Sequence, residues 1–90
     1  MLSKAWIKRI ADGILIELGL PDRVAGDVWE EQLKPKRLCM TFVSGRLDQV
    51  RTSPQRANES EAAFIRRLRA AILAHAESKG EAWCQKREGP

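Results

Sequence analysis

The stretch KRLCMTFVSGRLDQVRTSPQR, residues 36–56, decides how the middle of this chain folds. In its first half, Leu38, Met40 and Phe42 occupy every second position, with other residue types between them. This period of two predicts a strand over residues 37–43 that buries one face and exposes the other.

The second half of this stretch is less regular. Ser44 and Gly45 offer a two-residue turn, because glycine readily adopts the positive φ that such turns need. A return strand over residues 46–52 would complete a hairpin, but Leu47 and Val50 are three apart, which is a helical spacing. Either a bulge interrupts the strand or Ser44 caps a short helical turn instead.

Two segments outside this stretch have the period of amphipathic helices. The first, residues 4–18, follows the capping residue Ser3 and stops before Gly19. Its apolar face is formed by Trp6, Ile7, Ile10, Ile14 and Leu18. The second, residues 59–79, follows Asn58 as its cap and is rich in strong helix formers. Its apolar stripe is formed by Phe64, Ile65, Leu68, Ala71, Ile72 and Ala76.

The segment before the strand is predicted to form a short helix from about Asp27. Asp27 and Glu30 have the spacing of a capping box, and Pro35 would end the helix. Its buried side would be formed by Val28, Trp29 and Leu33. An N-terminal helix, a short second helix, a small antiparallel β-hairpin and a long C-terminal helix packed on the sheet make an α+β fold.

Size and composition indicate one soluble domain spanning residues 1–90, with 81–90 as a loosely ordered tail that Trp83 could anchor. The chain is 43% hydrophobic and 31% charged, as in ordinary globular proteins. A domain this short buries little surface, so a homodimer that completes the core is one expectation. Neither a membrane-spanning run nor a secretory signal is present, which favours a cytoplasmic protein.

The positive charge is concentrated in the middle of the chain. Residues 1–33 carry a net charge of −2 and residues 57–90 carry +1, whereas residues 34–56 hold six basic residues against Asp48, giving +5. With a two-residue turn, Arg46 would oppose Val43 and Arg51 would oppose Leu38, so cations would flank both ends of the hairpin. The predicted binding residues are Lys34, Lys36, Arg37, Arg46, Arg51, Arg56, Arg66 and Arg69.

These cations predict a binding protein rather than an enzyme. Clustered arginines suit nucleic-acid phosphates because the planar guanidinium can make paired hydrogen bonds to them. The main hypothesis is therefore a small nucleic-acid-binding protein, most simply a DNA-binding one. The alternative is a protein-interaction module, such as an adaptor or inhibitor that docks the same cations on an acidic or nucleic-acid-binding partner.

Each basic group also has a plain structural interpretation. Edge strands often carry Lys and Arg simply because these residues prevent aggregation. Arg66 and Arg69 lie on one side of the last helix and Arg67 on the other, and all three could pair with acids on a solvated flank. Those acids would be Glu59, Glu61 and Glu77.

Chemistry-bearing motifs are absent from the sequence. There is no Gly-rich phosphate loop, and His75 is the only histidine, so neither a cofactor nor a metal site is expected. Cys39 and Cys84 are expected to be reduced thiols. The aromatic residues do not favour single-strand recognition, because the periodicity assigns Trp6, Trp29, Phe42 and Phe64 to the core.

The order of elements is similar to that of the HU-type histone-like DNA-bending proteins. FVSGRLDQV, residues 42–50, resembles a short stretch near the end of those chains. However, the strands here are too short for the long, proline-tipped arms of that family, Pro54 lies outside the turn, and the final helix is longer. No residue role is transferred from this resemblance.

Overall fold

A computed structural model describes residues 1–32, 34–43 and 47–79 of the chain. Its elements are α1 (Lys4–Glu17), β1 (Arg23–Glu31), β2 (Arg37–Val43), β3 (Gln49–Thr52) and α2 (Glu61–Ser78). The strands form one antiparallel sheet in the order β1-β2-β3. The predicted α+β class is confirmed, and α2 contacts the sheet as expected.

The first helix begins and ends as the sequence predicts. The backbone N–H of Trp6 donates to Ser3 Oγ (3.2 Å), which caps the helix. At the other end Gly19 has φ 74°, a left-handed conformation that favours glycine. The N–H of Leu20 reaches back to the carbonyl of Leu15 (2.9 Å), and that of Gly19 to Ile16 (3.0 Å). This is a Schellman ending, which satisfies the last carbonyls of the helix.

The second helix starts two residues later than predicted. Its cap is Ser60, whose Oγ accepts from the N–H of Ala63 (3.1 Å), and not Asn58. The preceding residues form a turn, closed by the N–H of Glu59 donating to the carbonyl of Arg56 (3.0 Å), so they are not available to extend the helix. The buried stripe repeats every four residues and consists of Phe64, Leu68, Ile72 and Ala76.

The predicted short helix after Asp27 is wrong, because this segment is the edge strand β1. Between the paired positions Ala25 and Trp29, three residues of β1 lie opposite a single residue of β2. Gly26, with φ 63°, lies in this bulge. Val24 and Val28 are both buried on the core face, because residues four apart lie on the same face of a strand as well as of a helix. Leu33 lies outside the described residues.

The hairpin of β2 and β3 is also offset from its predicted register. Arg51 lies opposite Cys39, whereas the sequence predicted Leu38 as its partner. A one-residue offset changes the face on which a side chain lies, so Arg51 shares the face of Cys39 and not that of Met40. The strand begins only at Gln49. The predicted turn at Ser44 and Gly45 lies outside the described residues.

One hydrophobic cluster joins both helices to one face of the sheet. The sheet contributes Leu38, Met40, Phe42, Val24, Val28 and Val50 to it. Trp6 does not belong to this core, because its side chain is 56% exposed. Trp29 is only half-buried and lies opposite Cys39 in the sheet. Among the described residues, no helix combines the length and the hydrophobicity needed to cross a membrane.

Candidate functional site

The connection between β1 and β2 gathers four of the predicted cations at one end of the sheet. Lys34 and Lys36 lie in the connection, and Arg37 is the first residue of β2. Because β3 runs antiparallel to β2, its last residues return to this end and bring Arg51 beside them. We call the exposed group Lys34, Lys36, Arg37 and Arg51 the basic end.

Two neighbouring clefts open between these side chains. The first has a volume of about 350 Å³ and is lined by Glu31, Lys34, Pro35, Arg37 and Arg51. The second has a volume of about 320 Å³ and is lined by Pro35, Lys36, Arg37, Arg51, Thr52 and Ser53. Both clefts therefore share two guanidinium groups, and the second adds two hydroxyl groups.

Charge at the basic end is only partly neutralised. Arg51 Nε donates a short hydrogen bond to Glu31 Oε1. This bond lowers the pKa of Glu31, with a further contribution from Arg37, and it raises the pKa of Arg51. Within the described parts of the chain, Lys34, Lys36 and Arg37 form no ion pair within 4.0 Å. Three cations thus remain available to an external anion.

The thiol of Cys39 lies beneath this charged surface. Cys39 is fully buried and forms no disulfide. Burial raises its pKa, and the nearby carboxylate of Glu31 raises it further. A buried thiol with a raised pKa is protonated near neutral pH, so Cys39 is a poor nucleophile. Cys84 lies outside the described residues.

Arg56 projects from the loop that follows β3. Its guanidinium lies 3.9 Å from Glu59 Oε2, and its side chain is 61% exposed. An exposed pair at this distance is weak, so the charge of Arg56 can still attract an anion. Arg46, the remaining predicted residue of the hairpin, lies outside the described residues.

Arg69 does not join the basic end. Arg69 Nη2 lies 2.8 Å from Glu17 Oε1 and so connects α2 to the last residue of α1. The first turn of α1 is near the basic end, where Lys4 Nζ lies 4.0 Å from Glu30 Oε1. Since α1 rises about 20 Å from Lys4 to Glu17, the Arg69 pair lies towards the opposite end. Arg66 is exposed one turn before Arg69 on the same side of α2.

Arg67 was predicted only as a member of a solvated helix flank, yet it makes the densest set of polar contacts in this region. Its guanidinium donates to both carboxylate oxygens of Glu59 at 3.0 and 2.8 Å. It also donates to Thr52 Oγ1 (3.2 Å), the carbonyl of Ser53 (2.8 Å) and the carbonyl of Pro54 (3.1 Å). The bonds to Glu59 lower its pKa to about 2, and the three other bonds fix the loop that follows Arg51.

His75 lies in the last turn of α2. Its Nε2 is buried and makes no hydrogen bond to any described residue. Burial lowers its pKa, and the ammonium of Lys79 lowers it further, while Asp48 and Asp22 act in the opposite direction. Within the described part of the chain, no three His, Cys, Asp or Glu side chains come together as metal ligands.

Comparison of the chain with protein-family models, with curated proteins and with solved structures found no match.

Proposed function

We propose that this protein is a cytoplasmic, non-enzymatic nucleic-acid-binding protein that holds the phosphate backbone with its basic end. The single observation that carries this proposal is the group of three exposed cations without an ion-pair partner in the described chain, placed beside Arg51 around two clefts. A cation that is already paired contributes little to phosphate binding. The unpaired cations of the basic end can neutralise phosphates and so displace the counterions that are condensed on DNA.

The chemistry of the clefts favours backbone contacts over base recognition. Arg37 and Arg51 present planar guanidinium groups, which match the oxygens of a phosphate in pairs. Thr52 and Ser53 add hydroxyl groups of the kind that contact phosphate and sugar. Among the described residues that line the two clefts, none is aromatic, so no base-stacking platform lies there. We therefore infer binding to duplex DNA with little sequence preference.

The test is a fluorescence-anisotropy titration with labelled duplex and single-stranded DNA at low and moderate salt. We expect duplex binding that weakens steeply with salt, because each phosphate contact releases counterions. The charge reversal Arg37→Glu should abolish it. Lys79→Glu is the matched control, since it changes the net charge equally and Lys79 pairs with Asp48, about 20 Å away along β2. Absence of duplex binding by the natural chain at low salt would exclude this function.

A second candidate is a protein-interaction module that docks the basic end on an acidic partner. The carboxylate of Glu31 within the first cleft favours it, because mixed charge is typical of protein interfaces and unfavourable beside phosphate. A pull-down from the native host after nuclease treatment separates the two functions. Recovery of one stoichiometric protein, lost in the Arg37→Glu variant, would establish the protein partner, and loss of all bound material with the nuclease would exclude it.

A further inference from the structure

A second surface lies on the side of α1 that faces away from the sheet, and at Trp6 it borders a cleft that Glu61 and Ile65 of α2 also line. Trp6, Arg9, Gly13 and Ile16 are all exposed there. At about 100° per residue they fall within a sector of roughly 80°, so they form one continuous stripe. Trp6 is 56% exposed and Ile16 is 59% exposed. We call these four residues the α1 stripe. The α1 stripe exposes two large apolar side chains to water. Burial against another surface would remove the unfavourable free energy of this exposure.

Gly13 makes the middle of this stripe flat. It lies in the interior of a helix, where glycine is less favourable than alanine by about 1 kcal/mol. A Cβ atom at this position would meet nothing within 4 Å, so packing within the described chain does not require glycine. A small residue between larger ones does allow the backbone of a second helix to approach closely.

Charge along the same side of α1 indicates which helix fits. Arg9 lies four residues before Gly13 and forms no ion pair with any described residue. Glu17 lies four residues after Gly13, and its side chain is 59% exposed although it pairs with Arg69. A second α1 that crosses at Gly13 in the antiparallel direction would place each Arg9 beside the other copy's Glu17. The surface is therefore complementary to itself, and each cation would also approach a helix C-terminus.

We propose that the chain forms a twofold-symmetric homodimer through antiparallel contact of the α1 stripe with the same stripe of a second copy. Trp6 and Ile16 of both copies supply the apolar contact, Gly13 is the crossing point, and two Arg9–Glu17 pairs fix the direction. This inference does not rest on nucleic-acid binding, since no residue of the basic end belongs to the stripe. The two proposals therefore succeed or fail separately.

Sedimentation velocity over a range of protein concentrations, without nucleic acid, tests the dimer. The natural chain should sediment as a dimer at high concentration. Ile16→Asp should raise the dissociation constant at least about tenfold, because it buries an unpaired charge at the contact. Val43→Asp is the matched control, since Val43 is a similarly exposed apolar residue (47%) on the sheet, and it should leave association unchanged. A monomer at every concentration would overturn the proposal.

Three further variants test the geometry of the contact. Gly13→Ala should raise the melting temperature at a concentration where the chain is monomeric, because alanine favours the helix, and it should weaken the dimer. A glycine without a role in association would give only the first effect. Arg9→Glu should weaken the dimer about tenfold. The triple variant Arg9→Glu, Glu17→Arg and Arg69→Glu should restore it, because it reverses both the pair between copies and the pair between α1 and α2. Circular dichroism verifies folding of each variant, and a triple variant no better than the single one would exclude the antiparallel arrangement.

Discussion

The guanidinium of Arg67 holds the carboxylate of Glu59 through two parallel hydrogen bonds, 3.0 and 2.8 Å long. The same guanidinium bonds to three oxygen atoms of residues 52–54, at the end of β3. It also lies 5.1 Å from the ring centroid of Phe64, which is buried in the core. This one side chain therefore joins the helix layer, the loop and the edge of the basic end.

Replacing Arg67 should loosen that junction. Arg67→Ala removes all five hydrogen bonds and leaves Glu59 without its main partner, so we expect a loss of about 2 kcal/mol in the free energy of unfolding. Arg67→Lys keeps the charge but cannot make the paired bonds, so it should recover only part of the loss. Chemical denaturation at neutral pH measures the free energy of unfolding of both variants. Equal stability of the lysine variant and the natural chain would contradict the role of the paired guanidinium bonds.

Glu59 should make the fold sensitive to acid. The pKa of Glu59 is lowered to about 2 by Arg67, from an ordinary value of 4.5. Because the folded state holds the charged form, the stabilisation is complete above pH 4.5 and is lost as the pH falls towards 2. Glu59→Gln should therefore be less stable than the natural chain at pH 6, and the difference should shrink at pH 2 to 3. Thermal unfolding followed across this range checks it, and a constant difference would contradict the assignment.

Asp22 should be important for stability although it lies far from the basic end. It is 1% exposed, and its Oδ2 accepts the backbone N–H of Leu47 at 2.9 Å. Asp22→Ala would leave this buried N–H unpaired, at an expected cost of about 1 to 3 kcal/mol. Asp22→Asn retains an accepting oxygen and should cost less. Denaturant unfolding of the two variants distinguishes the lost hydrogen bond from the lost charge.

His75 should contribute a second pH dependence near neutrality. Burial lowers its pKa below the ordinary 6.5, so the folded state prefers the neutral ring. Stability should be fully present above pH 6.5 and should fall as the pH drops through this value towards the lowered pKa. His75→Leu should remove this loss of stability at low pH. It should not lower the free energy of unfolding at pH 7, because it removes a buried nitrogen that has no partner in the described chain. Melting temperatures at pH 7.5 and 5.5 test both expectations.

Binding to duplex DNA should lose one phosphate contact in the Lys36→Ala variant. In that case the slope of log K against log salt concentration falls in magnitude by about 0.9, because one fewer counterion is released. Lys79→Ala changes the net charge equally but lies at the other end of the sheet, so its slope should match that of the natural chain. Equal slopes for all three proteins would remove Lys36 from the interface.

The helices could be predicted because their signals are local. Ser3 and Gly19 lie at the ends of α1, and the buried stripe of α2 follows a helical period. The strand β1 could not be predicted, since Val24 and Val28 are four apart, and this spacing keeps two residues on one face of a helix and of a strand alike. Asp27 and Glu30 favoured the helical interpretation, because they have the spacing of a capping box. The same spacing also occurs in segments that tertiary pairing makes extended.

The candidate site was predictable in composition but not in arrangement. Charge counting along the chain indicated residues 34–56, and Lys34, Lys36, Arg37 and Arg51 do lie together. Which arginines serve the fold depends on distant partners: Glu17 is 52 residues from Arg69 in the sequence. The exposure of Trp6 was not predicted, because a helical period shows which face of the helix is buried but not how wide that buried face is.

The bulge at Gly26 also limits how far the sheet can grow. β1 is an edge strand, and a regular edge of nine residues would expose a row of backbone groups to which another chain could add. The bulge breaks that row near its middle, so an incoming strand could pair along only part of it. Along β1, the bulge therefore leaves little regular edge on which a fibril could grow.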